Sequence, residues 1–143
     1  MTIRQPTQTY KNHHLNGGNW HDYVPRDDDI VIGTPTKAGT TWTQAIVANL
    51  IFPDGLPDAV STLSPWLEAR MLPKEAMLAT LEGQTHRRFI KTHLAADGLP
   101  IHPTVKYIAV GRDGRDVLMS LWNHYKNYAE GTFKRIRERL IID

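Results

Sequence analysis

The sequence contains no cysteine. Disulfides, thiolate metal sites and cysteine nucleophiles are therefore excluded. It has no apolar run approaching the ~20 residues that a helix needs to span a bilayer. The stretch Met1 to Trp20 is polar, rich in Asn, His and Gln, and carries no apolar segment of the kind that marks a secretory signal. A dominant charge sign is also missing: 17 basic residues stand against 15 acidic ones, a net of +2. No global field calls for nucleic acid as a partner. Internal repeats, low-complexity stretches and a domain linker are absent as well. These absences lead to the expectation of a soluble, cytoplasmic protein with neither a membrane nor a nucleic-acid partner. What is present is ordinary globular composition, 41% hydrophobic and 22% charged over 143 residues. That suits one domain over 1–143, able to bury roughly two-thirds of its unfolded surface.

Residues 1–28 read as an irregular lead-in, punctuated by Gly17-Gly18 and Pro25 and ended by Asp27-Asp28-Asp29. Ile30-Val31-Ile32-Gly33 is a short β-branched run bounded by turn formers, hence a buried strand. From Thr40 to Phe52 the apolar residues Trp42, Ala45, Ile46, Leu50 and Ile51 follow a period near 3.6, which predicts a helix ended by Pro53 and Gly55. One or two short helices are expected within 56–85. Arg88 to Lys91 is a second strand, 93–104 a loop, and Val105 to Val110 a third strand. Asp113 can cap a helix through Tyr125, with Asp116 as a variant of the capping box. A basic helical segment, Phe133 to Ile142, closes the chain. Strands alternating with helices predict an α/β fold on a parallel sheet.

The loop between the first strand and its helix, Thr34-Pro35-Thr36-Lys37-Ala38-Gly39-Thr40-Thr41-Trp42, carries the first chemistry. A strand-loop-helix junction aims backbone N–H groups and a helix N-terminus at one point, which is an anion site. Gly39 lets an oxyanion approach, Thr40 and Thr41 offer hydroxyls, and Lys37 brings a mobile positive charge. A plain turn with Thr as N-cap is the bland alternative. A Walker A loop, with Lys directly after its second Gly, is ruled out because Lys37 comes two residues before Gly39.

Residues 35–42 resemble the 5′-phosphosulfate loop of the cytosolic-type sulfotransferases, usually Pro-Lys-Ser-Gly-Thr-Thr-Trp. Thr36 displaces the proline by one position, and Ala38 stands where the family has Ser. Lys91-Thr92-His93-Leu94 resembles the family's Lys-Thr-His-Leu-Pro. The resemblance implies that His93 is the general base and that Lys91 steadies the transferring sulfonate. An imidazole suits that task at neutral pH. His13, His14, His21, His86, His102 and His124 lack such neighbours and read as structural hydrogen-bonding residues. Arg112, leaving the third strand, and Ser120, eight residues on, are similar to the family's 3′-phosphate site. The competing reading pairs Arg112 with Asp113 or Asp116. Trp42 is either core or, as the resemblance implies, a stacking face for adenine. Ser64-Pro65-Trp66-Leu67-Glu68 resembles a family segment near the acceptor pocket, and reads equally as a surface helix start.

The resemblance covers about residues 20 to 128. It implies a P-loop-type three-layer sandwich, of which this chain is expected to be the N-terminal portion. Phe133 to Asp143 holds nothing like the family's late Arg-Lys-Gly motif. The implied donor is 3′-phosphoadenosine 5′-phosphosulfate (PAPS), with adenosine 3′,5′-bisphosphate (PAP) as product and no metal. The implied reaction is sulfonate transfer to a hydroxyl or amine of a small acceptor. Lys37, Ala38, Gly39, Thr40, Thr41, Trp42, Arg112 and Ser120 would hold the donor, and Lys37, Lys91 and His93 would act on the sulfonate. Two alternatives stay open. One is a chain that binds the nucleotide without completing catalysis, a second chain (as in a homo-oligomer) covering its open sheet edge. The other is a P-loop kinase relative using ATP.

Overall fold

The computed structural model describes residues 3–128. The closing helix expected over 133–142 lies outside them. Three parallel strands carry the fold: β1 (Ile30–Gly33), β2 (Phe89–Thr92) and β3 (Lys106–Ala109), in the order β2-β1-β3. Ile30 pairs with Phe89 on one side and Lys106 on the other. Around the strands lie four helices, α1 (Thr40–Ile51), α2 (Val60–Leu63), α3 (Lys74–Gly83) and α4 (Gly114–Lys126). The parallel α/β sheet is the one the alternation of strands and helices predicts.

Strand periodicity explains the layers. Successive side chains point to opposite faces. Val31 and Ile90 therefore share one face and pack with Trp20, Leu67, Met77 and Leu81. Ile30, Ile32 and Phe89 share the other and pack with Val47, Ala48 and Leu63 of α1 and α2. Each such aliphatic or aromatic side chain contributes about 1.5–3 kcal/mol on full burial. β2 begins one residue later than the sequence suggests, just after Arg88. Its carbonyl accepts the Ile30 N–H (3.0 Å), and its buried guanidinium donates from Nε to Asp29 Oδ1 (2.9 Å). Tyr23 Oη donates to the same carboxylate (2.7 Å).

The lead-in is more ordered than its composition indicates. It bridges Arg4 to Ile101 and Leu15 to Ala69, and it forms a 3₁₀ turn over Gly17–Asp22 capped by Asn16. This turn delivers Trp20 to the core, 2% exposed. Tyr10 donates to Asp97 Oδ1 (2.9 Å), and its ring passes so close to Gly98 that a Cβ there would sit 2.8 Å away. Only glycine fits under that strap.

The β3 side is built differently. Both β2 and β3 flank β1 at the edges of the described sheet, but β3 has no fully buried residue, and α4 buries none either. Asp113 caps α4 as expected, accepting from the Arg115 N–H (2.9 Å). Asp116, expected to close a capping box, carries an ion pair with Arg112 (Nε–Oδ2 3.7 Å). Among the described residues no helix is long and apolar enough to cross a membrane.

Candidate active site

β1 ends at Gly33, and the chain reverses through the loop 34–39 before entering α1. Two residues there adopt left-handed backbone, Lys37 (φ 63°) and Gly39 (φ 103°). Glycine takes that conformation freely, whereas at Lys37 it costs of order 1–2 kcal/mol. Strain of this kind collects at functional loops. Gly39, and not a threonine, is the N-cap of α1. The first N–H groups of a helix have no intrahelical acceptor and form its positive end. The loop therefore gathers N–H donors at the positive end of α1, the arrangement the sequence expects of an anion site. The buried hydroxyls of Thr34 and Thr40 hydrogen-bond each other and tie the strand end to the helix start. Thr41 keeps an exposed side chain.

A cleft of about 840 Å³ opens over this loop. Lys37, Gly39, Thr40, Thr41 and Trp42 line it from the loop and α1. Lys91 and His93 enter from the end of β2, Arg112 and Ser120 from the β3–α4 side. Of the expected site residues only Ala38 is not in the lining. It is buried, and its N–H is used by the Pro35 carbonyl (3.1 Å), closing the turn beneath the cleft. Trp42 is 78% exposed, so it is no core residue, and its ring is available to stack. Arg112 reaches across to donate from Nη1 to the Lys37 carbonyl (3.1 Å) while holding Asp116. Both readings of Arg112 thus have a physical counterpart, since its ion pair leaves it facing the cleft.

The end of β2 is the most constrained part of the site. His93 Nδ1 lies 2.8 Å from the Thr34 carbonyl oxygen. A carbonyl only accepts, so Nδ1 carries the hydrogen. In the neutral ring Nε2 is then left as the bare, proton-accepting nitrogen. Lys91 Nζ sits 4.7 Å from the centroid of the Trp66 ring, a cation–π distance. Burial pushes the Lys91 ammonium below its usual range, and the charge of Glu68 opposes that push. Trp66 meets the His93 ring edge-on at 5.1 Å.

Ser64 to Glu68 is not a surface helix start. Ser64, Leu67 and Glu68 are buried, and Trp66 bridges to Lys91 of β2. Three more histidines line the cleft, His13, His14 and His124, which the sequence reads as structural hydrogen-bonding residues. The His13 and His14 rings lie 3.8 Å apart, and His124 Nε2 is 2.9 Å from Tyr128 Oη. His124 had a readable signal. It lies four residues after Ser120, on the same face of α4. The lead-in histidines had none, because a long-range fold places them there.

Comparison with known proteins accords with this geometry. Residues 27–141 match the family model of the sulfotransferase domain. The chain is 45% identical over 124 residues to a glycolipid sulfotransferase of Mycobacterium tuberculosis, covering 85% of this chain and 38% of that protein. It is 31% identical over 116 residues to sulfotransferase 1A1 of Rattus norvegicus, covering 76% of this chain and 40% of that one. A crystal structure of retinol dehydratase in complex with retinol and PAP superimposes with a TM-score of 0.58 at 21% identity. That match covers 87% of this chain and 50% of the other, and at this identity it speaks for the fold. The chain thus spans between about 38% and half of the length of these relatives.

Proposed function

The chain belongs to the sulfotransferase family, and on that premise we propose that its cleft binds PAPS and directs the sulfonate to a hydroxyl or amine of a small acceptor. The observation that carries this reading is the convergence of four elements on one cleft. The loop after β1 supplies a phosphate cradle, the end of β2 a base and an ammonium, the β3–α4 side a guanidinium and a hydroxyl, and α1 an aromatic face. These groups fit a donor with phosphate at both ends of an adenosine. The loop and Lys37 suit the 5′ end, Arg112 and Ser120 the 3′-phosphate, and Trp42 the base.

The donor, when bound, supplies an activated sulfonate on a phosphate leaving group. The acceptor oxygen forms a bond to sulfur as the bond from sulfur to the bridging oxygen breaks, and PAP departs with that oxygen. His93 Nε2 takes the acceptor proton, its ring held at Nδ1 by Thr34. Lys37 and Lys91 offset negative charge at the sulfonate and the bridging oxygen. Positioning and preorganised charge carry such a transfer. The 45% identity to a glycolipid sulfotransferase favours a sugar hydroxyl as acceptor. The hydrogen-bonding side chains of the wall, His13, His14, His124 and Tyr128, suit a polyhydroxylated ring. The ATP-using alternative is disfavoured by Lys37, which stands on the loop side of Gly39.

The test is transfer of labelled sulfonate from PAPS to a panel of glycolipid and phenolic acceptors. His93→Ala should lower turnover by about 10²-fold or more, the usual scale for general-base catalysis, with PAP affinity nearly unchanged. Equal loss of turnover and PAP binding would count against His93 as the base.

A further inference from the structure

One buried, fully hydrogen-bonded carboxylate beside the site is not used by the proposed reaction. Glu68 is fully buried, at 0% exposure, and follows α2 in a segment laid against the end of β2. Its two carboxylate oxygens accept three hydrogen bonds. Oε1 takes the Thr92 hydroxyl (2.9 Å) and the His93 backbone N–H (2.8 Å), and Oε2 takes the indole N–H of Trp20 (2.8 Å). Thr92 Oγ1 in turn accepts the Leu94 N–H (3.1 Å), so the whole turn after β2 hangs on this carboxylate. A buried carboxylate is stable only when its acceptor capacity is filled, and here every contact runs to a donor.

We propose that Glu68 is a positioning residue. It clamps the Thr92–His93 backbone so that the His93 ring meets the Thr34 carbonyl with Nδ1 and keeps Nε2 for the acceptor. This rests on the reading of His93 as the base. Three segments distant in sequence meet in the clamp: the lead-in through Trp20, the post-α2 segment through Glu68, and the end of β2. The charge of the carboxylate also opposes the push that burial gives the Lys91 ammonium. The other cationic or titratable groups of the cleft around Lys91 are His93 beside it, Lys37 and Arg112, and His13, His14, His124, Tyr125 and Tyr128 of the wall. A group that only filled space would hold neither the tautomer of His93 nor the charge of Lys91.

Glu68→Gln separates these roles because it keeps shape and removes charge. With either amide orientation its NH₂ faces a donor, the indole of Trp20 or the pair Thr92–His93. The full chain, labelled with ¹⁵N at histidine and lysine, is titrated by NMR with and without PAP. In the wild type, His93 should appear as the Nδ1–H tautomer. In Glu68→Gln, His93 should become a tautomer mixture and the Lys91 amine should titrate at lower pH, while PAP affinity stays within about 2-fold. Thr92→Val, which keeps the carboxylate and removes one clamp bond, should produce a smaller tautomer shift in the same direction. It serves if Glu68→Gln fails to fold. Unchanged His93 and Lys91 signals in the folded variants would overturn the proposal. A failure of the underlying reading looks different: His93→Ala would retain turnover while the clamp signals stayed as described.

Discussion

The two ends of the cleft are held by different kinds of structure. At the β2 end, Lys91 and His93 sit on a strand with buried neighbours, tied by Glu68 to Trp20 and by Thr34 to β1. At the β3–α4 end, Arg112 and Ser120 sit beside a strand and a helix that bury no residue. Leu118, Met119 and Trp122 face outward from that helix. The part proposed to handle the acceptor proton is therefore fixed within the described residues. The part proposed to hold the 3′-phosphate has little apolar packing of its own.

The comparison can be broken with paired substitutions. The largest contrast lies in ion pairs. Arg88 and Asp29 are both 1% exposed, so Arg88→Met strands a buried carboxylate. It should destabilise the fold by about 3–5 kcal/mol in chemical denaturation, the scale for removing one partner of a buried pair. Arg115, paired with Asp113 at the start of α4, has a side chain 92% exposed, and Arg115→Ala should leave the unfolding midpoint unmoved. Apolar truncation gives the next contrast. Leu67→Ala, at 0% exposure beneath the acceptor end, should cost about 2–5 kcal/mol. Leu118→Ala on α4 should stay within about 0.5 kcal/mol. A large loss from either α4 substitution would mean that this side is as tightly packed as the other.

The same division governs what could be read from the sequence. β1, α1 and their loop are local, and periodicity with turn residues placed them within a residue. β2 starts one residue later than its pattern suggests, and Arg88, just before it, commits its side chain to Asp29, a partner 59 residues away. Lys91, His93, Arg112 and Ser120 were legible because short motifs carry them. Glu68 was marked only as part of a segment, without its role, and Trp20, His13 and His14 were not marked as part of the site. They reach the site through packing of the lead-in and the post-α2 segment, and no local pattern records such a meeting. Ala38 shows the converse case. The motif marks it, but its small side chain turns inward and only its backbone serves the loop.

The most direct test of the account is calorimetric binding of PAP against AMP, which differs only in lacking the 3′-phosphate. The account predicts that PAP binds at least about 10-fold more tightly, from a charge-assisted bond at that phosphate, and that Arg112→Ala removes the difference. Equal affinities for PAP and AMP, or a preference for ATP with magnesium over both, would contradict it.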